Sequence, residues 1–371
     1  MLFIKNENLK TGMRLAKPIY NKKGVLLYDR NSKLTLQGID SVKNFGLIGI
    51  YILEPAEPVP PMTQDDIEFE RFQTMSVFSI QEELLLIKNS GKAPKMQTIA
   101  STIIKSYGRL DKKINFIQSL RSNEDYIFKH SLNCAVLCAM MTHVLNVKLD
   151  EQLETVIAAV VHDIGKLNIP KEIQDKAGNL SVAERAQVSY FERQSAEIVE
   201  NTFASNPGIK RIVTQAYHTL NDFRAGKDVR NAKLVIGAKV MIVAEVFDTM
   251  TAMNHISEPS SEVAALRFLM ENPIIFDPKV VNALIKSMNF LNAGCCIELS
   301  NGEKGLVIVA NEVDILKPII LCFSDNRMID LSQELVYEDL MIKDVMKTMD
   351  NRCVVDKEMV KQYGFASKLS T

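Results

Sequence analysis

The sequence has no run approaching the roughly 18 uninterrupted apolar residues that suggest a membrane span. Its longest candidates, Ala135–Met141 and Val156–Val161, are far shorter and end in polar residues. The N-terminus, Met1-Leu2-Phe3-Ile4-Lys5-Asn6-Glu7, carries charge where a secretory signal requires an apolar run. Six scattered cysteines, with Cys295 and Cys296 adjacent, make no CxxC pair and no secreted disulfide framework. These absences lead to the expectation of a cytoplasmic protein with no membrane span. An excess of either charge is missing too. Lys plus Arg number 44 against 45 for Asp plus Glu, so no global field draws nucleic acid or an anionic membrane, and only a local basic pocket stays open. Internal repeats and low-complexity segments are absent.

What is present is an ordinary globular composition, 47% apolar and 24% charged, over 371 residues, enough for two or three units with their own cores. The first 55 residues read as short strands and turns. Asn21–Gly24 is a turn signal, followed by a strand over Val25–Tyr28, a short helix over Leu36–Phe45 and a strand over Ile48–Leu53. Pro55, Pro58, Pro60 and Pro61 make a stiff connection and a boundary. Helical patterning then predicts helices over Thr63–Ile87 and Met96–Leu120, and a central buried one over Asp125–Asn146, apolar on nearly every face. Asp150 is placed to N-cap the next, and Ser181 with Glu184 forms a capping box. Further helices are expected over Gly208–Thr219, Ala232–Asn254 and Pro278–Met288. After Asn289 the pattern returns to strands, Cys296–Leu299, Gly305–Ala310 and Pro318–Phe323, as a small antiparallel unit with a loose tail beyond Lys347. The expected fold class is mainly α. A helical-bundle core spans 119–290, with a β-rich N-terminal domain over 1–58, a helical connector over 59–118 and a short C-terminal β unit and tail over 291–371.

The sharpest local signal is Val160-Val161-His162-Asp163-Ile164-Gly165-Lys166. An imidazole and a carboxylate stand together at the end of an apolar helix, where Gly165 can end the helix. Burying them is costly unless something pairs with them, and a divalent metal would do so. Lys166 can reach a phosphate drawn to that metal. His130 lies on the most buried helix, and Glu245 is the sole charge between Met241 and Phe247. His130, His162, Asp163 and Glu245 together supply two nitrogens and two carboxylates, leaving positions open for water and substrate. Such a metal lowers the pKa of bound water and polarises a phosphoryl oxygen. Each residue also has a plainer reading. His162 and Asp163 can be a hydrogen-bonded helix end, His130 a satisfied core histidine, and Glu245 a salt-bridge partner of Lys166. Cys134 and Cys138 share a face with His130 and read as small packing residues. Asp248, one turn from Glu245, reads as a structural acceptor.

The ordered set resembles the HD phosphohydrolase superfamily, whose metal ligands run H…HD…D along the chain, and within it the HD-GYP family. The motifs are Asp125-Tyr126 with His130-Ser131, His162–Lys166 with Ile169-Pro170, Glu245–Met250 and Phe276–Val281. Leu9–Met13 and Leu299–Glu303 resemble segments that flank the domain in relatives. The resemblance implies a cyclic di-GMP phosphodiesterase with two or three metals, often iron or manganese. The sequence departs from that pattern. The ligand His expected after Leu180-Ser181 falls on Phe191, or on Glu192 if the register shifts by one. The expected His-His pair is Tyr217-His218. Leu220–Gly226 stands where Gly-Tyr-Pro belongs, the usual Asp is Glu245, and an expected phosphate-binding Arg is Asn254.

The first metal site keeps ligand chemistry throughout, whereas the second keeps His218, either a remnant ligand or a surface residue, with Asp163 as a bridge. The expectation is therefore one divalent ion, iron or manganese ahead of zinc. Its ligands would be His130, His162, Asp163, Glu245 and His218, with Asp163 and Lys166 catalytic and a cyclic dinucleotide or another phosphoester as ligand. The function implied is an HD-GYP-like phosphodiesterase impaired by the missing ligands. The alternatives are an inactive signalling module with protein partners, or a single-metal nucleotide phosphohydrolase.

Overall fold

The fold is taken from a computed structural model that describes residues 2–21, 25–53, 62–174, 176, 180–230, 233–253 and 258–345. The proline-rich boundary, the Asn21–Gly24 turn beyond Asn21, Asn254 and the tail beyond 345 lie outside these residues.

Short alternating segments build the N-terminal unit. Strands β1 (Leu2–Lys5), β2 (Arg14–Leu15) and β5 (Gly49–Leu53) form an antiparallel sheet in the order β1-β5-β2. Strands β3 (Ile19–Tyr20) and β4 (Leu26–Tyr28) pair separately, and helix α1 (Leu36–Asn44), N-capped by Thr35, completes the unit. Leu15, Ile19, Val42 and Ile50 are its core, joined from the helical part by Leu120 and Met253.

Helices α2 (Gln64–Ser90) and α3 (Met96–Tyr107) follow. A full capping box starts α2, in which Thr63 receives the Asp66 N–H and Asp66 receives that of Thr63. The helix expected to run on to Leu120 stops at Tyr107, where Gly108 caps it. Residues 108–125 are instead irregular, and they carry Gln118 and Arg121 into the core.

The bundle proper is α4 (Tyr126–Val144), α5 (Leu149–Val161), α7 (Val182–Thr202), α8 (Pro207–Arg224), α9 (Ile236–Thr251), α10 (Glu262–Glu271) and α11 (Pro278–Ser287), with the short α6 (Lys171–Gln174) between α5 and α7. As the all-round apolar pattern predicts, α4 is the central helix, buried from Leu132 through Thr142 and packed against α2, α3, α5, α9 and α11. The Ser181–Glu184 capping box opens α7 as expected. Asp150 sits inside the first turn of α5, where its charge favours the helix dipole, and Lys148 holds the N-cap position.

The C-terminal strands β6 (Cys296–Leu299), β7 (Lys304–Val309), β8 (Ile319–Cys322), β9 (Met328–Asp330) and β10 (Ile342–Val345) form one antiparallel sheet in the order β10-β6-β7-β8-β9, with α12 (Glu334–Asp339) before the last. Ile297, Leu299, Val307 and Ile320 join the helical core from one face of this sheet, while Cys296, Leu306 and Ile308 form a small cluster of their own.

Gly165 does not end α5 in a left-handed cap. That helix stops at Val161, and Gly165 lies within a single 3-10 turn over Ile164–Asn168 without a positive φ. Its role is close approach. A Cβ there would stand 2.0 Å from the Phe191 carbonyl oxygen of α7, and its N–H donates to Ser195 Oγ at 2.9 Å. Backbone faces backbone, so neither side can yield by a rotamer change. Gly165→Ala is expected to destabilise the fold by roughly 2–3 kcal/mol, read from the midpoint of urea unfolding.

Candidate metal centre

Four elements aim polar side chains at one point in this apolar bundle. α4 supplies His130, the end of α5 supplies His162, the turn after it Asp163, and α9 supplies Glu245. His130 Nε2 lies 2.7 Å from Glu245 Oε2, which in turn is 3.0 Å from His162 Nε2. The two imidazole Nε2 atoms are 3.3 Å apart. Asp163 Oδ2 stands 3.8 Å from His130 Nε2 and 3.7 Å from His162 Nε2. The four residues picked from sequence thus converge.

The outer ring nitrogens fix what the inner ones offer. His130 Nδ1 lies 2.6 Å from Asp248 Oδ2, and a carboxylate can only accept, so Nδ1 carries the proton. His162 Nδ1 likewise donates to the Ala159 carbonyl at 2.8 Å. With Nδ1 committed outward, each imidazole turns its Nε2 inward, where a cation would replace a proton shared with Glu245; this is the outer-contact arrangement that orients metal-binding histidines. Two nitrogens bound at about 2.1 Å to one ion stand roughly 3.0–3.4 Å apart between right-angled and tetrahedral geometry, and the observed separation falls within that range. The donor set therefore fits a divalent cation.

The electrostatics favour positive charge at this point. Burial alone would lower the His130 pKa, but Cys134, Glu245 and Asp248 around it raise it well above the ordinary value. Burial would raise Glu245, yet His130 and His162 hold it well below the usual carboxylate range.

His130, Cys134, His162 and Glu245 make a possible metal site, with ligand atoms within 4.8 Å of one another. Cys134 Sγ, however, is 3.7 Å from one ring nitrogen of His130 and 3.8 Å from the other, so it rests against the ring rather than pointing past it. Burial pushes its thiol up to about 12. It packs there as a small apolar group.

Asp248 is held from several sides and is fully buried. Arg121 Nη2 reaches both its oxygens at 2.7 Å, while Asn133 and Gln118 donate to Oδ1 at 2.8 and 3.0 Å. Burial would raise its pKa, but Arg121 and His130 hold it well below the usual range. Its reading as a structural acceptor agrees with these contacts. Arg121, Gln118 and Asn133 were not singled out from sequence. The available signal was the buried Asp248 itself, which demands a counter-charge.

A small cleft of about 40 Å³ opens over the centre, lined by Lys166, Glu192, Tyr217, Asn221 and Arg224. Lys166 Nζ donates to Asp163 Oδ2 at 2.8 Å and lies 3.4 Å from Glu192 Oε1. Arg224 Nη2 is 3.9 Å from Glu245 Oε1 and half exposed. At the two doubtful motif positions the helix phase decides. On α7, Glu192 rather than Phe191 lines the cleft; on α8, Tyr217 lines it, and His218 is exposed to solvent. A step of about 100° per residue turns a neighbour away, so His218 does not join the centre as the sequence reading had it. Phe191 is not among the lining residues. Arg121→Met, which strips Asp248 of its buried counter-charge, is expected to destabilise the protein by about 3–5 kcal/mol, measured by urea unfolding.

With this geometry in place, comparison with known proteins is informative. Residues 115–280 match the HD domain family. The chain is 22% identical over 220 residues to a cyclic di-GMP phosphodiesterase of Pseudomonas aeruginosa, covering 58% of this chain and 53% of that protein. It is 23% identical over 130 residues to a 3'3'-cGAMP-specific phosphodiesterase of Vibrio cholerae, covering 35% of this chain and 30% of the relative. An HDG"Y"P protein of known structure from Bdellovibrio bacteriovorus aligns with a TM-score of 0.44 at 13% identity, over 76% of this chain and 97% of that one. The chain spans about half the length, or less, of these curated relatives. Residues 115–280 thus match an HD domain, in agreement with the resemblance to the HD superfamily read from the motifs.

Proposed function

We propose that this chain is a metal-dependent phosphohydrolase acting on a cyclic dinucleotide, with one divalent cation held by His130, His162, Asp163 and Glu245. The observation that carries this reading is the pair of inward Nε2 atoms 3.3 Å apart, flanked by two carboxylates. A bound ion of this kind supplies activated water and charge neutralisation at phosphorus. Iron or manganese suits a mixed nitrogen and carboxylate set, and zinc is chemically compatible.

The chain's own residues do the rest. Asp248 and the Ala159 carbonyl hold the imidazoles with Nδ1 outward and Nε2 toward the centre. Lys166 and Arg224 bring positive charge to the cleft wall, where a phosphodiester oxygen can exchange for Glu192 at Lys166 and be gripped by the guanidinium. A cleft of about 40 Å³ admits the phosphate and leaves the bases outside it. Arg224 thereby takes a role that the family pattern gives to the position of Asn254. The catalytic assignments are Asp163, as ligand and partner of Lys166, and Lys166 as the phosphate-steadying cation.

One observation favours a second reading, a signalling module that binds without hydrolysing. With His218 facing solvent, no second imidazole cluster adjoins the first among the described residues. A clamp by two ions on attacking and leaving oxygens then lacks imidazoles for its second ion. A single-ion phosphohydrolase of mononucleotides is the third.

Metal analysis is expected to give about one ion per chain in the wild type and none in His162→Ala, with unchanged circular dichroism. Asp248→Asn is expected to lower metal affinity by roughly 10–100-fold, measured by competition with a chelator. With manganese or iron, hydrolysis of cyclic di-GMP or 3'3'-cGAMP should vanish in Asp163→Ala. It should lose about 10–100-fold in kcat/KM in Arg224→Ala, the worth of one charged hydrogen bond. Dinucleotide binding without turnover in the metal-loaded protein selects the signalling reading, and turnover of mononucleotides alone selects the third.

A further inference from the structure

A cavity larger than the cleft above the metal centre lies between the N-terminal unit, α2, the irregular segment 117–125 and Lys129, Leu132 and Asn133 of α4, and measures about 210 Å³. Its walls are mainly apolar, with Phe45, Phe78 and Tyr20 contributed by three different elements. That composition, with a few converging polar groups, is that of a small-molecule site.

The charged groups around it are engaged. Lys129 pairs with Asp125 at 2.7 Å, Glu70 pairs with Arg30, and Lys17 donates to the Gln118 carbonyl while lying 4.7 Å from the Tyr51 ring centre. Glu124 is exposed. Nothing in the lining asks for charge on a ligand.

One polar group does ask for a partner. Gln73, on α2, is 5% exposed and lines the cavity. Its Nε2 donates to the Ile117 carbonyl and to Asn133 Oδ1, both at 3.1 Å, which locks the orientation of the amide. No described residue donates to its Oε1, and that oxygen is not sealed from the cavity, so it is open to a donor from a molecule bound there.

The geometry points to a second binding site here, for an uncharged, planar, largely apolar molecule of two or three fused rings with one hydrogen-bond donor directed at Gln73 Oε1. Aromatic rings on several walls suit a flat π-system. The cavity floor is formed by Gln118 and Asn133, the two amides that donate to Asp248, so the site adjoins the network orienting His130.

The probe is acridone, neutral and fluorescent with one N–H, titrated into the metal-free full chain. Xanthone, in which oxygen replaces that N–H, competes with it. Saturable acridone binding is expected, with xanthone about fivefold to tenfold weaker through loss of the bond to Gln73. Thr74→Phe and Val77→Phe, both filling the cavity from α2, should each abolish binding while thermal melting shows a folded chain. Arg224→Ala, in the cleft above the metal centre, should leave it unchanged. The proposal is overturned if acridone does not saturate, if xanthone binds equally well, or if a folded cavity-filling variant binds like the wild type. Because no metal is present, failure here is distinct from failure of the hydrolase reading.

Discussion

Asp248 is the carboxylate on which the centre rests. It stands in the bundle interior, and its burial is tolerable because Arg121 meets both oxygens, with two amides and an imidazole N–H completing its shell. That set of bonds fixes the orientation of the His130 ring. The same bonds tie the irregular segment to α4 and α9, so the fold and the ligand geometry share one network. A charge pair of this kind adds little net stability over an apolar replacement, but it fixes one arrangement where oily packing would permit several. Here that arrangement points Nε2 at Glu245 and His162.

Much of this was legible in the sequence. His130, His162, Asp163 and Glu245 stood out because each is a costly group in an apolar context, and a common cation explains all of them at once. The all-round apolar α4 was readable for the same reason. Periodicity failed where the chain has none. A helix expected through Leu120 concealed that residues 108–125 are irregular, and Arg121 sits in that stretch, where no repeating pattern marks a residue as inward-facing. Asp150 and Gly165 show a different limit. Asp before a helical run reads as a cap, and Gly at a helix end reads as a stop. At Asp150 the helix starts earlier, with Lys148 at the N-cap, and leaves the carboxylate exposed in the first turn; at Gly165 tertiary packing assigned another task. What surrounds Gly165 comes from a helix about 30 residues later in the chain.

The departures at α7 and α8 follow from helix phase. Motif spacing locates a residue along the axis but not around it, so neighbours are confused unless burial is known. Glu192 and Tyr217 face the cleft, and Phe191 and His218 do not line it. Among the described residues, the donors that converge are overlooked by Lys166 and Arg224.

The segment between Gln118 and Ser122 has one more property. Its backbone is gripped by the N-terminal unit: Lys17 holds the Gln118 carbonyl, Ile48 N–H donates to the Arg121 carbonyl at 3.0 Å, and Leu47 pairs with Ser122. Its side chains grip Asp248. The N-terminal unit cannot slide or tilt without breaking those backbone bonds or dragging Gln118 and Arg121 with it, and through them the imidazole. The ribbon is a mechanical linkage only a few residues long, with the first unit on its outer edge and the His130 ring on its inner one.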